Sequence, residues 1–283
     1  MNLFKTGILL TALTLLLVFL GRLLGGQQGM MMALIFALVM NLGAYWFSDK
    51  IVLAMYRAKP LNQSDAPELF EILGELTRKI GMPMPRVYLV DHDSPNSFAT
   101  GRGPTHAAVA VTSGILTLLT RDELRAVLAH EVGHVRNRDV LTMSIAATIA
   151  GAIAMVANWA RWGLMFGGRR DDERRGGGGL ELVAFILLLI LAPLAATLIQ
   201  LAISRTREYG ADESGARLCG SPGGLINALR KLDEFSRRIP LSGVNPATAH
   251  LCIVNPLSGE TLAALFSTHP PIPKRIERLK HIL

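Results

Sequence analysis

Four long apolar runs constrain this 283-residue chain more than any other feature of it. In hydrocarbon every backbone N–H and C=O must find its partner within the protein, so runs of roughly 20 apolar residues read as spanning helices. The runs are FKTGILLTALTLLLVFLGRLLG (about 4–24), GMMMALIFALVMNLGAYWF (about 30–48), LTMSIAATIAGAIAMVANWARWGLMF (about 141–166) and LELVAFILLLILAPLAATLIQLAI (about 180–203). The first is too long, and lacks the small-residue cleavage site, to be a signal peptide. The polar turn GGQQ joins it to the second, so these two are expected to form a hairpin, with Tyr45 and Trp46 at the membrane–water interface. The third run is rich in alanine, which leaves a buried core helix as its alternative. Pro193 should kink the fourth, and GGRRDDERRGGGG (167–179) reads as an exposed flexible linker.

Only 18% of the residues are charged, against about a quarter in soluble domains, and those charges are concentrated between the runs. The expected organisation is therefore a membrane hairpin (1–48), a first soluble part (49–140), two further spans (141–203) and a second soluble part (204–283). Lys50, Arg57 and Lys59, then Arg136 and Arg138, then Arg205 and Arg207 all fall on one side of four spans, which the positive-inside rule makes cytoplasmic. The linker arginines 169, 170, 174 and 175 run against the rule, but three acids lie among them. The same rule accounts for the net charge of +7 without a nucleic-acid partner. Cys219 and Cys252 have neither disulfide-framework nor thiolate-zinc spacing and read as ordinary thiols.

The chemistry concentrates in HEVGH. His130 and His134, four apart on a helix, share a face and can reach one metal ion, and Glu131 lies beside that face, placed to take a proton from water. Thr120 and Asp122 are candidate caps, and Leu124, Val127, Leu128 and Val132 recur at helical intervals. A catalytic zinc needs a third protein ligand. The residues after His134 are VRNRD, which excludes the metzincin extension. The candidates are the remaining histidines (92, 106, 250, 269, 281) or the acids of SRTREYGADESGARL, where Glu208 and Asp212 are four apart. Two spans separate His134 from Glu208, so a hairpin of those spans returns the second motif beside the first. RVYLVDHDSPNSFATG and HAAVAVTSGIL read as short strands broken by turns, whose edge could receive an extended peptide.

HEVGHVRNRD, SRTREYGADESGA, NSFATG and FSTHPPIPKRIERL, in that order, resemble the HtpX-type membrane zinc metalloproteases, relatives of the type I CaaX prenyl proteases and of OMA-type proteases. The resemblance covers nearly the whole chain. It implies one zinc ion held by His130, His134 and Glu208, with Glu131 as general base and Asp212 orienting a ligand histidine. It also implies Asn96 and Arg275 near the substrate and His269 as a donor to the developing oxyanion. The implied fold is mainly α, with four spans and a cytoplasmic, zincin-like (gluzincin) domain with a small sheet. The implied setting is the bacterial inner membrane, with misfolded membrane proteins or unfolded polypeptides as substrates. A CaaX-type prenyl protease and a non-proteolytic scaffold or chaperone are the alternatives.

Overall fold

The first apolar run folds back on the second because of two glycines. In the computed structural model, which describes residues 2–150, 205–238, 251–253 and 270–282, helix α1 (Asn2–Met55) is broken at Gly25 and Gly26. Gly26 takes φ 59° and ψ −142°, a conformation closed to residues with a Cβ. The two halves then pack antiparallel, and a side chain at Gly21 or Gly29 would overlap the other's backbone. Small residues at the crossing let the helices approach closely, as in lipid-embedded helix pairs. Asn41 Nδ2 donates to Thr14 Oγ1 across the pair at 2.8 Å.

The second half, Gly25–Met55, is among the described residues the helix long and apolar enough to cross a membrane. Its 31 residues make roughly 46 Å at about 1.5 Å per residue, more than the ~30 Å of bilayer hydrocarbon. It therefore does not stop near residue 48. Val52 and Leu53 continue into the soluble part, where they pack on Val90, Phe98, Ala108 and Ala110. Of the four expected spans, the described residues hold the first two runs and the opening of the third. Residues 151–204, with the linker and the fourth run, lie outside them.

The soluble part is built on a four-stranded mixed sheet. Strands β1 (Lys59–Pro60), β2 (Arg86–Val90), β3 (Ser97–Gly101) and β4 (Ala107–Thr112) lie in the order β1-β2-β4-β3. β2 runs parallel to β4, and β3 antiparallel to it with Ser97 opposite Val111. The AAVAVT sequence of β4 is buried on both faces, and its period-2 alternation sorts its residues. Ala107, Val109 and Val111 join the main core with helices α2 (Pro67–Lys79) and α4 (Arg121–Arg136), while Ala108 and Ala110 meet the end of α1. A short α3 (Ser113–Leu118) links β4 to α4. After α4 come α5 (Asp139–Ala150), α6 (Arg205–Cys219), α7 (Gly223–Arg238) and α8 (Ile272–Leu279). Leu141, Ile145 and Ile149 of α5 pack against Ala44 of α1, so the third apolar run opens against the hairpin.

Candidate metal centre and active site

Helix α4 begins where its sequence puts a cap. The Thr120 side chain takes the backbone N–H three residues on, and Glu123 Oε2 accepts from the Thr120 N–H at 2.8 Å, a capping box. Leu124, Val127, Leu128, Val132 and Val135 are buried in the main core. That fixes the rotation of α4 and turns His130, Glu131 and His134 toward α6 and β3.

Helix α6 can approach α4 closely because small residues face each other. Ala211 lies against Gly133, and a Cβ at Gly215 would stand 3.0 Å from the His130 backbone nitrogen. Asp212 and Glu208, one and two turns earlier on α6, are thereby brought to the two histidines. Gly215→Val should push α6 away and weaken metal retention at least tenfold while α4 still forms. Metal content after dialysis, read beside the far-ultraviolet circular dichroism, checks this; undiminished retention would show that the close approach is dispensable.

The resulting cluster is compact and buried. His130 Nε2 and His134 Nε2 are 3.2 Å apart, and the Glu208 carboxylate reaches them at 3.8 and 3.4 Å. All three side chains are buried, with their candidate ligand atoms within 4.8 Å of one another. The far nitrogen of each ring meets a carboxylate: His130 Nδ1 faces Asp212 Oδ1 at 3.0 Å, and His134 Nδ1 meets Asp139 Oδ2 at 3.2 Å. An imidazole that gives its Nδ1 proton to a carboxylate presents a lone pair at Nε2. Two such lone pairs and a carboxylate converging in a buried pocket repel one another unless a cation joins them. This donor set fits a divalent metal ion.

The electrostatics agree. Burial alone would lower the His134 pKa, but its bonds to Asp139 and Glu208 and the charges of Glu208 and Glu131 lift it to about 10. The surrounding carboxylates thus favour positive charge at this point of the pocket. Asp212 is the reverse case: burial would raise its pKa, and the Arg275 guanidinium holds it down to about 2.

Glu131 is 4% exposed and does not share the ligands' convergence point. Its Oε1 accepts from Ser97 Oγ, on edge strand β3, at 3.1 Å. Asn96, just before that strand, is buried; its Oδ1 accepts from the Ile253 N–H at 3.2 Å, and its Nδ2 is buried without a hydrogen-bond acceptor among the described residues. Arg275 was expected at the substrate. Its side chain instead lies wholly buried, with Nε and Nη2 on the two Asp212 oxygens at 2.9 and 2.6 Å and Nη1 on the Ile253 carbonyl. That geometry makes a relay from α8 through Asp212 to His130. Removing one partner of such a buried pair leaves an uncompensated charge, so Arg275→Met should cost about 3–5 kcal/mol of stability. The thermal midpoint measures it, and a variant as stable as wild type would deny Arg275 this role. His269 lies outside the described residues.

Two participants went unanticipated. Ser97 belongs to the NSFATG motif, but nothing in a strand pattern reveals which side chain meets Glu131. Asp139 was within the quoted stretch, yet five residues beyond His134 it falls off the helical period. Both thiols are free; Cys252 is buried and pushed up to about 11 by that burial, with the Tyr56 hydroxyl 3.6 Å away.

A HExxH helix whose glutamate meets the edge strand, and a carboxylate supplied by a second helix, together define a metallopeptidase. Comparison with known proteins names the group. The profile of peptidase family M48 matches residues 63–283, and the chain belongs to that family. It is 57% identical over 277 residues to a "Protease HtpX homolog" of Syntrophobacter fumaroxidans, covering 98% of each chain. With the "Protease HtpX homolog" of Pyrococcus furiosus it shares 55% over 278 residues, covering 98% of this chain and 95% of the relative. The crystal structure of S. mikatae Ste24p superposes with a TM-score of 0.52 at 20% identity, over 96% of this chain and 62% of that one, a likeness of fold.

Proposed function

We propose that this chain is a multi-pass membrane zinc endopeptidase, with its active site on the cytoplasmic side of a bacterial inner membrane, that degrades misfolded or damaged membrane proteins. The observation that carries it is the buried convergence of His130, His134 and Glu208 beside a glutamate that is left out of the ligand set. Curated relatives named protease HtpX, matched along almost their full length, support the peptidase class. The membrane assignment rests on the hairpin and the apolar runs.

Zinc held by His130, His134 and Glu208 would supply Lewis acidity, polarising a peptide carbonyl and making water acidic near pH 7. Glu131 does the proton work. The Ser97 hydroxyl occupies its Oε1, which orients the carboxylate and leaves Oε2 to accept a proton from the attacking water. The same carboxyl group then delivers that proton to the departing amide nitrogen. The two histidines would not compete for it, since their Nε2 lone pairs would be given to the metal while their Nδ1 sides face Asp212 and Asp139. Asn96 and Ser97 bring the edge strand β3 to the catalytic glutamate, a place where an extended polypeptide can be read through its backbone with little demand on its sequence. Asn96 and His269 are assigned to substrate and oxyanion contact in this reading.

The test is casein cleavage by the detergent-purified chain. Activity that a chelator abolishes and added zinc restores supports the proposal. Cleavage indifferent to chelation would defeat it.

A further inference from the structure

We propose that Asp139 is a positioning residue for His134 and ties that ligand to the helix that opens the third apolar run. The inference rests on reading His130, His134 and Glu208 as metal ligands. Asp139 Oδ2 lies 3.2 Å from His134 Nδ1, and the two side chains are 2% and 4% exposed. With Nδ1–H given to that carboxylate, the lone pair stands on Nε2, the nitrogen that faces His130 and Glu208.

The contact requires a break in the chain's path. On an uninterrupted helix, a residue five positions after His134 would stand about 140° round the axis from it, at 100° per residue. Helix α4 ends at Arg136, and Arg138 takes φ 58°, an uncommon left-handed conformation for a residue with a side chain. That turn brings the Asp139 carboxylate back against the end of α4. The chain accepts a strained residue at this point, and the His134–Asp139 contact is what it gains.

Asp139 is also the first residue of α5, so its charge meets the positive end of that helix. Further along α5, Ser144 Oγ pairs with Thr100 Oγ1 at 2.8 Å and accepts from the Gly101 N–H at 3.2 Å. One helix therefore holds both a metal ligand and β3, the strand that bears Ser97. The opposite histidine is served differently: Asp212 comes from α6 and is itself braced by Arg275. His130 is positioned from within the soluble part, and His134 from the segment leading toward the membrane.

The test uses the full chain in detergent as wild type, Asp139→Asn and Asp139→Glu. Zinc affinity is read by competition with a chromophoric chelator, the ligand field from the visible spectrum of the cobalt(II) form, and folding from circular dichroism. Asp139→Asn is isosteric, so its helix content should stay at the wild-type value. Its zinc affinity should fall roughly 10–100-fold, the usual effect of removing a partner that orients a ligand, and its cobalt spectrum should shift. Asp139→Glu, which keeps the carboxylate, should recover part of both. Wild-type affinity and spectrum in Asp139→Asn would overturn the inference, and so would equal losses in the Asn and Glu variants, which would mark a packing role. Failure of the wild type itself to bind zinc would overturn the ligand reading instead, and this inference with it.

Discussion

Glu131→Gln is expected to keep its zinc and lose proteolysis, with kcat lower by about 10²–10⁴, the contribution of a positioned general base. Glutamine has the same shape, and its amide oxygen can still accept from Ser97 Oγ, which donates to Oε1 at 3.1 Å in the native chain. What disappears is the ability to take and return a proton. The three proposed ligands are untouched, because Glu131 stands outside the cluster formed by His130, His134 and Glu208. Casein cleavage and bound zinc, measured on the same preparation, check both halves. Zinc loss in this variant would make Glu131 structural. Cleavage at the wild-type rate would remove it from the mechanism.

Glu208→Gln should have the converse signature, with metal lost first and activity lost as a consequence. The carboxylate brings the negative charge that balances a divalent ion between two neutral imidazoles, and it comes from a different helix than they do. Its loss should weaken zinc binding by more than about 100-fold, beyond the range seen when only an orienting partner is removed. The zinc remaining after dialysis against a weak chelator is the measurement. Undiminished zinc would show that Glu208 is not a ligand. The two variants together separate holding the metal from moving the proton, which a loss of activity alone does not.

Some of this was readable from residue spacing. Four-residue intervals place His130 with His134 and Glu208 with Asp212, because 3.6 residues per turn is a local property of the helix. The cap at Thr120 and the buried stripe of α4 followed from the same periodicity, and the fold back at Gly25–Gly26 from the polar turn between two apolar runs. Strands β2 to β4 were legible as alternating or continuous apolar segments, although only the assembled sheet shows β4 central and β3 at its edge.

The rest depended on approach between distant segments. Spacing left open which residue stands with the two histidines, and the closeness of α6 to α4 at Gly215 and Ala211 sets Glu208, the proposed third ligand, against both rings. A motif match put Arg275 at the substrate, but α8 spends its guanidinium on Asp212 and the Ile253 carbonyl. Asp139 was invisible because its contact depends on a left-handed residue that no periodicity anticipates. Local repeats thus decided which side chains share a helix face and which runs can enter lipid, since those follow from backbone geometry and hydrophobicity within one segment. Which faces meet, and so which carboxylate stands between the two rings, which faces a ring's far nitrogen and which is left apart on the edge-strand side, was decided by packing between segments far apart in the chain, where one missing Cβ determines how near two helices can come.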